Sequence, residues 1–131
     1  MRSQILFISE HQEDARCISW MLRALPVALD HVGTIEDARD RLHRNDYDVI
    51  LTESALPDGK WLDVLHLARE YPHDLEVIVT DPQADARLWA EALNLGAYDL
   101  LAQPFYEPEV RRILGNACSR PTENRVGAAA V

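Results

Sequence analysis

The feature that most constrains this chain is a regular alternation between short apolar runs and segments of helical period. Ile5-Leu6-Phe7-Ile8 is a compact β-rich run, and Ala15, Ile18, Leu22 and Leu25 then repeat on one helical stripe. Pro26 closes that helix, and Val27 to Val32 forms a weaker second strand. Thr34 is placed to cap a helix whose face is Ile35, Ala38 and Leu42. Asp48 to Thr52 is a third strand, Leu56-Pro57-Asp58-Gly59 a turn, and Trp61 to Ala68 a third helix. Leu75 to Thr80 is a fourth strand, and Asp85 to Leu95 a fourth helix that Gly96 terminates. Tyr98 to Ala102 is a fifth strand, and Pro108 opens a last helix carrying Val110, Ile113, Leu114 and Ala117. Five strands alternating with five helices predict an α/β domain with a parallel sheet covered on both faces. The apolar character of the first, third and fourth strands fits burial from both sides.

The 131 residues make one domain, over 1–118, and 119–131 has no periodic face and is expected to be a disordered tail or the start of a linker. Acids outnumber bases 22 to 13, for a net charge of −9. Such a surface repels phosphate backbones and anionic bilayers, so neither nucleic acid nor membrane is an expected partner. No apolar run reaches the ~20 residues of a membrane span and no secretory leader is recognisable, so the expected location is cytoplasmic. Cys17 and Cys118 lack metal or redox spacing and are expected to be buried. Trp20 and Trp61 are expected to be partly buried helix anchors, and His31, His43, His66 and His73 surface residues.

In an open parallel sheet, sites form beyond the carboxyl ends of the strands. Those segments are Ser9-Glu10-His11, Thr52-Glu53-Ser54, Thr80-Asp81-Pro82 and Ala102-Gln103-Pro104-Phe105. The loop after the first strand has no glycine and three acids, Glu10, Glu13 and Asp14, which excludes a dinucleotide or P-loop phosphate cradle. His11 beside Glu10 and Glu53 could be considered a metal ligand, but no second histidine has matching spacing, and a solvated loop residue is expected.

With Tyr47-Asp48-Val49-Ile50-Leu51-Thr52-Glu53, Leu56-Pro57-Asp58-Gly59 and Gly96 to Phe105 in this order and spacing, the chain resembles the receiver domain of bacterial response regulators from about Ile5 to Ala117. The resemblance implies a doubly wound (βα)5 sandwich with strand order 2-1-3-4-5. It also implies a cis bond at Gln103-Pro104 and a phosphorylation site in which an acidic pair holds Mg²⁺, an Asp is the nucleophile, a Ser or Thr follows the fourth strand and a Lys precedes the proline. The matching positions here are Ser9 and Glu10, then Glu53, then Asp81 with Thr80 one residue away, then Gln103; Leu100 matches the switch aromatic. Lys60 is the only lysine, so no lysine can fill the Gln103 position from nearby.

These departures oppose phosphoryl transfer. Glu53 is one methylene too long for an in-line carboxylate, and ~1 Å of misplacement can cost ~10²-fold in rate. Gln103 donates hydrogen bonds without a charge, and Asp81 would repel a phosphate. Glu10 and Glu53 leave at most a weak Mg²⁺ site, so no cofactor is expected. The expected function is that of a degenerate pseudo-receiver: a non-enzymatic module that binds a protein partner or itself. The alternatives are an active phosphoacceptor of a phosphorelay and a divalent-metal or small-ligand sensor. On the fourth helix Ala86, Ala90 and Leu93 suffice to face the sheet, which leaves Leu88, Trp89, Ala92 and Leu95, with Leu100 on the adjacent strand, as an expected interface.

Overall fold

A computed structural model of the chain describes residues 2–71 and 75–130; for 120–130 it describes the backbone course alone. The elements run β1 (Ser3–Ile8), α1 (Gln12–Met21), β2 (Val27–Val32), α2 (Ile35–Arg44), β3 (Val49–Glu53), β4 (Ala55–Leu56), β5 (Gly59–Lys60), α3 (Trp61–Ala68), β6 (Glu76–Asp81), α4 (Ala86–Asn94), β7 (Asp99–Ala102) and α5 (Glu107–Ala130). The main sheet has the order β2-β1-β3-β6-β7, all parallel. Counted over its five strands this is 2-1-3-4-5, the doubly wound arrangement expected from the sequence. The turn at Pro57-Asp58 is tighter than a simple loop, because β4 and β5 pair antiparallel across it.

Alternation along the strands divides the core in two. Leu6, Ile8, Ile50, Val77, Val79 and Leu100 face α2, α3 and α4. Ile5, Phe7, Val49, Leu51, Ile78 and Leu101 face α1 and α5. Strands buried on both faces need apolar side chains at successive positions, which is why these runs lack the polar alternation of a half-exposed strand.

Helix α2 starts as expected: the Thr34 hydroxyl accepts from Asp37 N at 3.0 Å. Asp58, from the β4–β5 turn, adds a cap by accepting from Ile35 N (2.9 Å) and Glu36 N (3.1 Å). Burial opposes its charge, but these backbone N–H groups outweigh that and hold its carboxyl below the usual range. Helix α4 ends on Gly96, whose φ of 111° is open to glycine. Its last carbonyls accept from Gly96 N and Ala97 N, and the Leu95 carbonyl accepts from the Arg69 guanidinium of the segment after α3.

Helix α5 runs to Ala130, with Ala117 and Cys118 its last described core contacts. Three sequence expectations need correction. Cys118 is buried, and burial pushes its thiol up to about 11, but Cys17 is exposed, on the solvent side of the stripe formed by Ala15 and Ile18. Trp61 is core, whereas Trp20 is 58% exposed. His31 is half-buried rather than superficial, and its Nε2 lies 2.7 Å from the Ser9 carbonyl; His73 lies outside the described residues.

Candidate functional site

The carboxyl ends of β1, β3, β6 and β7 bring four of the sequence-selected side chains together. Glu53 and Thr80 are Cα partners across β3 and β6, so their side chains leave the sheet on the same face. Ser9, one residue past the Ile8–Thr52 pair, lies beside Glu53. The Ser9 hydroxyl and the Glu53 carboxylate meet at 2.9 Å, with both residues buried. Ser9 has one hydroxyl proton. Glu53 Oε2 at 2.9 Å is a better acceptor for it than the His11 carbonyl at 3.4 Å, and the Ser9 oxygen in turn accepts from His11 N at 2.9 Å. The residue at the acidic-pair position therefore clamps the carboxylate at the nucleophile position.

A second bonded pair lies alongside. The Gln103 amide donates to Thr80 Oγ1 at 3.1 Å, and Thr80 Oγ1 donates to the Leu101 carbonyl at 2.7 Å. Thr80 is fully buried. The Gln103-Pro104 bond is cis, as the resemblance implies.

The assignment of Asp81 to this site by counting back from Gly96 is overturned. Asp81 follows Thr80 and so points to the opposite face, where its carboxylate accepts from the Ser54 hydroxyl and from Gln83 N (2.6 Å). Sheet register, not linear count, decides which side chain faces Glu53. Thr80 thus stands at the hydroxyl position.

Glu10 and His11 are exposed on the loop before α1. Among the described residues no three His, Cys, Asp or Glu side chains converge as a metal site. Magnesium asks for a near-octahedral set of oxygens. A serine in place of an acid and one carboxylate already engaged by it do not fit that requirement. Lys60 is exposed on β5 and is not a hydrogen-bond partner of the site; its backbone N–H donates to Asp63 Oδ2 at 3.0 Å.

The expected interface resolves differently from its prediction. Helix α4 buries Leu88 in part and Ala92 completely, an i, i+4 pair, and exposes Ala86, Ala90 and Leu93. Ala92 and Leu100 therefore belong to the core and not to a free surface. Alanine and leucine occupy nearly every face of this helix, so the sequence pattern alone could not choose the buried stripe. Trp89 (49% exposed) and Leu95 (41%) are on the surface as expected. Trp89 borders a groove of about 310 Å³ shared with Ala84, Asp99, Leu100, Arg112 and Ile113.

This fold, with its site at the carboxyl ends of the strands, belongs to a known class. The model of the response regulator receiver domain family matches residues 5–115. The chain is therefore a member of that family, a receiver domain. The regulatory protein LuxO of Vibrio cholerae is 27% identical over 115 residues, which cover 85% of this chain and 25% of LuxO, so the match spans about a quarter of that relative. The crystal structure of the signal receiver domain of a putative LuxO repressor protein from Vibrio parahaemolyticus superposes with a TM-score of 0.88 at 21% identity, covering 96% of this chain and 97% of that one. The solution structure of the beryllofluoride-activated NtrC4 receiver domain dimer superposes with a TM-score of 0.76 at 21% identity, covering 92% and 97%. At these identities the two structures establish the fold.

Proposed function

We propose that this receiver works without a phosphate switch, as a cytoplasmic signalling module that binds a protein partner or a second copy of itself. The observation that carries this reading is the Ser9–Glu53 clamp. The carboxylate at the nucleophile position is buried and already accepts a hydrogen bond from the residue where a metal-holding acid would stand. An attacking carboxylate must lie in line with the donor phosphorus. Glu53 is longer than Asp and is fixed by Ser9. Among the described residues the family's lysine position offers no cation to neutralise an incoming phosphoryl group, since Gln103 carries no charge and is engaged with Thr80. Mg²⁺ binding is expected to be weak, which sets the metal-sensor reading aside, and the net charge of −9 argues against nucleic acid.

The surface that supports partner binding is the one around Trp89. A half-exposed tryptophan beside a groove is the residue type most enriched at binding hot spots. One neighbour of the same fold is described as a dimer, which supports self-association as one form of this binding.

The test has two arms. Incubation with acetyl phosphate and Mg²⁺ should leave the intact mass unchanged; a stoichiometric, hydroxylamine-labile phosphoryl adduct would restore the phosphoacceptor reading. Trp89→Asp should abolish self-association in light scattering, or partner capture if the free chain is monomeric, with the circular dichroism spectrum intact. Loss of the folded spectrum would show that Trp89 is a stability residue and remove this interface.

A further inference from the structure

The opposite edge of the sheet carries another aromatic that the site at the strand ends does not use. Trp20 on α1 is 58% exposed, more than Trp89. The Arg23 guanidinium lies 3.7 Å from its ring centroid and donates to the Trp20 carbonyl at 2.9 Å, so the arginine is held folded over one face of the indole. With Arg16, Leu29 and His31, these residues line a groove of about 530 Å³ between α1 and β2. Strand β2 is the edge strand, paired with β1 alone, and all but one of its residues are half-buried rather than covered.

Charge indicates what this groove would accept. The chain is strongly acidic, yet no Asp or Glu lines the groove, while Arg16 and Arg23 do. Arg23 is partly neutralised by Glu107 at 3.2 Å, and Arg16 makes no ion pair among the described residues. A basic, tryptophan-walled groove beside an unpaired strand edge suits an extended segment that combines carboxylates with an apolar side chain. Main-chain pairing to the edge would supply affinity, and the alternate side chains would supply selectivity.

We propose that the α1–β2 groove is a second docking site, which takes an acidic, extended segment of a partner protein with an apolar residue against Trp20 and carboxylates on Arg16 and Arg23. It does not depend on the reading of Glu53. Because β2 and β7 are opposite edges of the sheet, a segment bound here leaves the Trp89 surface free.

The experiment is fluorescence anisotropy of the full chain with a pool of labelled peptides of roughly ten residues, acidic around one Leu, Ile or Phe, against a matched pool with Lys in place of the acids. The acidic pool should bind saturably and less tightly as salt is raised. Arg16→Glu and Trp20→Ala should each weaken it by about tenfold or more, a loss of at least ~1.4 kcal/mol. Trp89→Asp and Glu53→Gln should leave it unchanged. Both groove substitutions are at exposed positions, and retained circular dichroism checks that the variants fold. The proposal is overturned if the acidic pool does not bind the wild-type chain, if it binds no better than the basic pool, or if Trp20→Ala binds it as the wild type does. Displacement of the bound acidic pool by a single-stranded oligonucleotide of equal charge would also overturn it and identify the groove as a polyanion site.

Discussion

Helices α3 and α4 are neighbours on the same face of the sheet, yet they are held in opposite ways. Helix α3 buries Trp61, Val64, Leu65, Leu67 and Ala68 within its eight residues. Helix α4 buries Ala92 alone, packs Leu88 in part, and leaves Trp89, Leu93 and the adjoining Leu95 in solvent. Both are rich in apolar residues, so composition does not separate them. Helix α3 spends its apolar surface on the core, whereas α4 has more than the sheet can cover. Unpartnered apolar surface of this kind is what the proposed partner-binding role of α4 rests on.

The largest effect should come from Trp61. Trp61→Ala should destabilise the domain by about 3–5 kcal/mol in urea unfolding, since the side chain is almost fully buried and leaves a cavity. Trp89→Ala should change stability by less than ~0.5 kcal/mol. Comparable losses at both positions would erase the contrast between the helices. The contrast sharpens within α4 itself. Ala92→Leu should cost about 1–3 kcal/mol by overpacking a fully buried position, while Ala90→Leu, at an exposed position, should be near neutral. The reverse outcome would return the stripe expected from the sequence.

A smaller effect belongs to Asp58, which ties the β4–β5 turn to α2. Asp58→Ala should cost about 1 kcal/mol, as loss of a helix cap does. The folded carboxyl titrates below its unfolded value, so the contribution is complete above the ordinary carboxylate range and is lost as pH falls through the lowered one. The difference between wild type and Asp58→Ala should therefore be flat at neutral pH and shrink on acidification. A difference that grew on acidification would contradict the capping role.

Much of this organisation could be read from the chain. The strands were legible because burial on both faces demands uninterrupted apolar runs, and Thr34 and Gly96 marked helix ends through capping chemistry that depends on little else. Ser9, Glu53 and Gln103 were placed by the resemblance to receiver domains, which sets its site residues after the first, third and fifth strands. Four things were not legible. Thr80 against Asp81 was a matter of strand register, which a linear count cannot supply. The buried side of α4 was hidden by apolar residues on every face. The Ser9–Glu53 bond joins residues 44 apart and exists only once β1 and β3 pair. The exposed Trp20 was missed because it flanks the apolar stripe of α1, where a tryptophan can turn toward the core or away from it.

On the proposed function, the site at the strand ends is chemically silent because Ser9, Glu53 and Gln103 replace the groups that phosphoryl transfer needs. Its most direct test is intact mass after acetyl phosphate and Mg²⁺ treatment of the wild-type chain beside one carrying Ser9→Asp, Glu53→Asp and Gln103→Lys together. The wild type should keep an unchanged mass, and the triple variant should gain a hydroxylamine-labile phosphoryl adduct. A stoichiometric adduct on the wild-type chain, lost in Glu53→Gln, would contradict it and make Glu53 a working phosphoacceptor.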